Sequence, residues 1–186
     1  MKNLLFVFIL ITAISCSSCK KSTPDPVSQL PPETQTGANT FGCLINGVAF
    51  TPKGSLFGPP SLQCAYQYLN GGYYFHLSAS NYGANSENFS NVGVFTDSLK
   101  IDTIHNPFPL EIRYFTGKGY GQYGRYIISY SPNLYYTTSI IKGQLIIKRF
   151  DQINQIVSGT FWFNAINSNN DTIKITDGRF DMHYTL

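Results

Sequence analysis

The sequence predicts an all-β protein, a single antiparallel β-sandwich of about ten strands, and three observations carry that expectation. Charged residues make up only 12% of the chain, and its apolar positions are filled largely by Ile, Val, Phe and Tyr, which suit a pleated, half-buried surface. Turn signals rich in Asn, Gly, Pro and Asp recur between short runs of alternating polarity. Beyond the amino-terminal leader no segment sustains an apolar period of 3.6 residues, so no amphipathic helix competes for the core.

The leader comes first. Met1, Lys2 and Asn3 precede an apolar run from Leu4 to Ile14, followed by Ser15-Cys16-Ser17-Ser18-Cys19. Eleven helical residues at about 1.5 Å each span half a bilayer core, so the run reads as a cleaved export signal and not as a membrane span. Small residues before a cysteine suit lipoprotein processing. Cys16 is the expected lipidation site, since Thr12, Ala13, Ile14 and Ser15 lead into it, with Cys19 as the alternative. The signal peptide is then 1–15, or 1–18 if Cys19 is the anchor. Two or three acyl chains at about 0.8 kcal/mol per buried methylene would hold such a protein to a membrane almost permanently. Residues 16–39 follow as a lipidated tether with Pro24, Pro26, Pro31 and Pro32. In polyproline geometry twenty residues would reach about 60 Å.

Residues 40–186 are the expected domain, large enough for one core and too small for two. Phe41 to Ile45 and Val48 to Thr51 flank Asn46-Gly47, a type I′ hairpin signal. Leu62 to Leu69 and Tyr73 to Ser80 flank Asn70-Gly71-Gly72. Alternation sets Leu62, Cys64, Tyr66 and Tyr68, and Tyr73, Phe75, Leu77 and Ala79, on a core side, with Gln63, Gln67, His76 and Ser78 opposite. Phe89 to Thr96 and Glu111 to Thr116 read as strands around a connection at Asn106-Pro107-Phe108-Pro109. Arg125 to Tyr130 and Leu134 to Ser139 read as a hairpin. Gly143 to Phe150, Val157 to Asn167 and Thr172 to Tyr184 form a meander. A closed, lipocalin-like barrel is the alternative the strand count leaves open.

Two stretches, ANTFGCLINGVAFTPKG at 38–54 and SGTFWFNAINSNNDTIKITDGRFDMHY at 158–184, resemble the opening and closing signatures of a family of small uncharacterised Bacteroidota-type lipoproteins. The resemblance implies an all-β, exported domain of unknown function and supplies no catalytic residue. Gly47 and Gly178 have structural readings as turn or bulge residues, and Phe161, Phe163, Phe180 and Met182 as a core face. Proteins exported by such bacteria also share O-glycosylation at Asp-Ser/Thr before an apolar residue, which points to Ser98, Thr103 and Thr172.

Chemistry-bearing constellations are few. Gly119-Tyr120-Gly121-Gln122-Tyr123-Gly124 fits G-x-G-x-x-G, but a strand and not a helix follows it, so pyrophosphate binding is not expected and a flexible connection is. Tyr120 and Tyr123 in that loop are the candidate ligand contacts. His76, His105 and His183 are far apart in sequence and read as solvated; no nucleophile elbow accompanies them. Asp171, Asp177 and Asp181 read as turn residues. Neither a metal nor another cofactor is expected. Cys43 and Cys64, in an exported chain, are expected to form a disulfide closing about twenty residues and contributing roughly 3 kcal/mol. Net charge is +3 without a basic stripe, which argues against nucleic acid. The expected function is a non-catalytic binding or structural domain, held by its lipid in the cell envelope at the outer membrane, periplasmic side favoured, with an envelope protein or glycan as partner. A glycan-binding module using exposed tyrosines is the alternative, and a hydrolase the third.

Overall fold

Two Asn-Gly dipeptides set the first hairpins. In the computed structural model, which describes residues 24–56, 58–83, 88–97, 100–101, 105–113, 116–127 and 130–186, Asn46 and Gly47 have φ of 49° and 82°, and Asn70 and Gly71 49° and 86°. These are the left-handed angles a type I′ turn requires. They join β1 (Thr40–Ile45) to β2 (Val48–Phe50) and β3 (Leu62–Leu69) to β4 (Gly72–Asn81). Then follow β5 (Asn88–Asp97), β6 (Pro107–Leu110), β7 (Lys118–Ile127), β8 (Tyr130–Tyr136), β9 (Gly143–Asp151), β10 (Ile156–Ile166) and β11 (Thr172–His183). The expected meander at the carboxyl end is present as β9, β10 and β11.

All eleven strands belong to one sheet ordered β2-β1-β11-β10-β9-β6-β7-β5-β4-β3, with β8 pairing both β7 and β10. The sheet folds over on itself, so the core side chains of β4 and β11 meet: the Phe75 and Phe180 rings lie 6.2 Å apart. The first layer is β2-β1-β11-β10-β9 and the second β6-β7-β5-β4-β3. Phe41, Leu77, Val92, Val94, Leu145, Ile147, Phe163 and Ile175 fill the space between them. The predicted core face of Phe161, Phe163, Phe180 and Met182 is buried as expected. The pairing that joins the two ends of the sheet among the described residues is limited to the isolated bridges Lys53–Asn81 and Ala65–Thr185, so the result is an all-β sandwich and not an evenly closed barrel.

Several expectations are corrected. The pairing is mixed, because β6 runs parallel to β7 at Leu110–Gly119. The proline-containing connection is itself the strand β6: Pro107 and Pro109 are exposed while Phe108 and Leu110 are buried. Among the described residues, the stretch from Glu111 to Thr116 contains no strand. The glycine run 119–124 lies inside β7 and is no loop. There the glycines serve close packing, since a Cβ on Gly121 would stand 2.5 Å from the Phe163 ring.

The second half of the expected tether is bound to the domain. A 3₁₀ turn, Pro26–Gln29, is capped by Asp25, Leu30 is buried, and Pro31 lies against Gly42 so closely that a Cβ there would be 2.6 Å from its Cδ. The Asp181 carboxylate, itself 0% exposed, accepts from Thr34 Oγ1 (2.7 Å), Thr36 N (2.8 Å), Thr36 Oγ1 (3.2 Å), Gly37 N (2.7 Å) and Ala38 N (3.2 Å). Lys148 pairs with Glu33, and Arg149 donates to the Gln35 carbonyl. Residues 30–38 thus form a strap across the outer face of β1, β11 and β9. Asp181, read from sequence as a turn residue, lies inside β11 and is buried beneath the strap.

Candidate functional site: the outer face of the second layer

The second layer presents an outer face that no strap crosses among the described residues, set by the alternation that turns Phe75, Leu77, Val92 and Val94 inward. Strand register arranges its residues in rows. Ala65 stands opposite His76, His76 opposite Phe95, and Phe95 opposite Tyr120. The next row runs Gln63, Ser78, Gly93, Gln122 and Tyr136, and the one after it Ser80, Asn91, Gly124 and Leu134. Phe89 and Tyr126 form the last. Two aromatic rows therefore flank a trough of Ser, Asn, Gln and Gly.

The rings are held in pairs. Phe95 and Tyr120 stack at 4.9 Å and 16°, and Phe89 and Tyr126 at 4.3 Å and 4°. His76 approaches Phe95 at 4.8 Å and Tyr82 approaches Phe89 at 5.0 Å. Glycine makes the trough shallow: a Cβ on Gly93 would meet the Phe95 ring at 2.5 Å, and one on Gly124 the Tyr126 ring at 2.7 Å. Both rings lie over the strand instead of standing away from it. Asn91 Nδ2 donates to Ser78 Oγ (2.8 Å), Ser80 Oγ (3.0 Å) and the Ala79 carbonyl (3.2 Å), fixing the trough floor. The Arg113 guanidinium sits 4.3 Å over the Tyr136 ring.

Charged groups border this face: Arg113 over Tyr136, Asp97 beside the first ring pair and Arg125 beside the second. Burial lowers the His76 pKa, which keeps the imidazole uncharged at neutral pH. Burial, reinforced by Tyr136, raises the Tyr126 phenol against the opposing effect of Arg113. A groove of about 310 Å³ opens beside Tyr74, His76, Phe95 and Tyr120, and another of about 260 Å³ beside Phe89 and Tyr126. Such a surface can stack flat apolar faces and exchange hydrogen bonds with hydroxyls or amides.

The candidate pair Tyr120 and Tyr123 is separated by the structure. Three residues apart on a strand, they point to opposite faces: Tyr120 is buried beside Phe95, whereas Tyr123 packs towards the core and Tyr135. The cysteine expectation is also corrected. Cys43 and Cys64 are free thiols, each buried in the apolar core from its own strand, β1 or β3. Burial pushes Cys64 up to about 12 and raises Cys43 as well. Cys16, Cys19, Ser98 and Thr103 lie outside the described residues. Thr172 is exposed at the start of β11. Of the histidines, His76 alone joins the ring rows. Sequence reasoning missed Phe95 and Tyr126 as a face, although their partners Gly93 and Gly124, each two residues away on a strand, were a readable signal. It also missed Trp162, which is 42% exposed on the other layer.

Fold and face together define a class: an all-β sandwich with one strapped outer face and one open, ring-lined outer face. Residues 103–182 match a domain of unknown function, DUF6252. That similarity covers β6 to β11, whereas β4 and β5 of the ring-lined face fall before it. No curated protein and no solved structure matches the chain.

Proposed function

We propose that this chain is a non-catalytic, lipid-anchored envelope domain of the outer membrane that engages an extended partner through the outer face of β4, β5, β7 and β8. The observation that carries the reading is the pair of stacked ring pairs, Phe95–Tyr120 and Phe89–Tyr126, on either side of a polar trough. Rings already held by mutual stacking on a rigid sheet suit a binding surface, because little side-chain freedom is lost on contact. The leader and Cys16, or Cys19, supply the anchor, and the periplasmic side is favoured because Lys20-Lys21 follow the cysteines. O-glycosylation at Ser98, Thr103 or Thr172 belongs to the same exported setting.

Within this reading a glycan is the favoured partner over a protein. Aromatic rings beside Ser, Asn and Gln match the apolar carbons and hydroxyls of a neutral sugar chain. Titration of the mature protein with neutral oligosaccharides, followed by amide chemical shifts, tests both points. Shifts confined to β4, β5 and β7 and abolished by Tyr126→Ala are expected; shifts elsewhere, or unaltered by that substitution, refute the assignment of the face.

A further inference from the structure

We propose that the strapped outer face of the first layer rests against the anchoring membrane, with Trp162 at the lipid interface, so that the ring-lined face is turned away from the bilayer. The proposal rests on the lipid-anchored reading above and adds to it an orientation and a second membrane contact.

Chain geometry comes first. The strap is fixed to the first layer by Asp181, Lys148 and Arg149, and its 3₁₀ turn begins at Pro26. Between Cys16 and Pro24 there are eight residue steps, and five if Cys19 is the anchor, which at about 3.6 Å each reach no more than about 29 Å. A body of about 160 residues has a radius of gyration near 15 Å, hence a diameter of about 40 Å and a half-circumference of about 60 Å. The linker is too short to pass round the domain. The turn at the start of the strap packs on β1 and β2, so that side of the first layer is kept within the linker's reach of the lipid.

The chemistry of that face fits the position. Trp162 lies on β10 in a groove of about 290 Å³ with Ile146, Thr160, Gln144 and Arg179, bordered by the strap residue Glu33. Its ring is 42% exposed and its Nε1 donates to Gln144 Oε1 at 3.3 Å. An indole with an apolar body and a satisfied N–H suits the headgroup level of a bilayer. Lys148 is paired with Glu33 and Asp177 also lines the groove, so the cations offered to lipid phosphates are Arg179 and, farther along β11, the exposed Lys174.

Trp162 is the only tryptophan in the chain, so the native protein reports its own orientation. The mature acylated protein, purified from membranes, is reconstituted in phosphatidylcholine–phosphatidylglycerol vesicles with and without brominated acyl chains. Brominated lipid is expected to reduce Trp162 emission about two-fold, the response of an indole at the interface. Moving the reporter to the other face, with Trp162→Phe plus Phe95→Trp, is expected to abolish the quenching; Trp162→Phe plus Tyr74→Trp serves as a second placement should the first fail to fold. Acylated, vesicle-bound protein whose Trp162 is not quenched, or whose Phe95→Trp or Tyr74→Trp reporter is quenched equally, overturns the orientation alone. Absence of acyl mass on Cys16 and Cys19 overturns the anchoring reading and this proposal with it.

Discussion

Replacing Asp181 by Ala removes the acceptor of five hydrogen bonds at once. Three come from the backbone N–H groups of Thr36, Gly37 and Ala38, and two from the hydroxyls of Thr34 and Thr36. A hydrogen bond to a charged group contributes about 1.5–3 kcal/mol, but five sharing one carboxylate are not additive, and a released strap regains water contacts. A loss of about 3–4 kcal/mol is expected, which for a domain of this size lowers Tm by about 10 °C. Asp181→Asn should cost nearly as much, because an amide keeps one acceptor oxygen and turns donors towards donors. Urea unfolding followed by circular dichroism measures the loss, and hydrogen exchange at residues 36–38 locates it. A change below about 1 kcal/mol with exchange unaltered would refute the clamp. Burial alone would raise the Asp181 pKa, but the bonds from Thr34, Thr36, Gly37 and Ala38 outweigh it and hold it below the ordinary value. Its stabilisation is therefore fully present above the unfolded value of about 3.9 and lost as pH falls through the folded one. The strap should release in acid and be indifferent to pH between about 5 and 8.

Other perturbations test the packing. Gly121→Ala places a methyl group 2.5 Å from the Phe163 ring and should cost about 1–3 kcal/mol in urea unfolding; a neutral result would show that the two layers can separate there. Ser158 Oγ is buried with no hydrogen-bond partner among the described residues, so Ser158→Ala should leave stability unchanged or raise it by up to about 1 kcal/mol. A clear loss would reveal a partner for that hydroxyl. In a chain with Cys16→Ser and Cys19→Ser, the buried Cys43 and Cys64 thiols should resist a thiol reagent at pH 8 when folded, since their raised pKa values leave almost no thiolate. Both should react in urea without reductant. No reaction in urea would mean that they pair after all.

The first two hairpins were legible because their determinants are local, whereas the third turns between Ile127 and Tyr130 and not at Ser131-Pro132-Asn133 as expected. Asn46-Gly47 and Asn70-Gly71 carry their own turn conformations, and the alternation from Leu62 to Ala79 names the buried side without reference to any distant residue. The two main errors share the opposite origin. Proline and glycine read locally as breakers, yet Pro107 and Pro109 alternate with buried Phe108 and Leu110 in a strand, and the glycines of 119–124 make room for rings that come from elsewhere. Thr34 to Ala38 likewise contain nothing that would enter an apolar core. Their binding site is a buried carboxylate some 145 residues away, and no local pattern announces such a partner.

What the amino-acid sequence determined alone was the strand class, the Asn-Gly turns and most core-facing positions, since each depends on side-chain size, polarity or backbone preference within a few residues. Only the tertiary structure decided which strands became neighbours. That decision placed Phe95 on Tyr120 and Phe89 on Tyr126, put Tyr120 and Tyr123 on opposite faces, kept Cys43 and Cys64 as separate thiols, and bound the supposed tether through Asp181. Contacts of this kind depend on how a long sheet folds back on itself, which is a property of the whole chain.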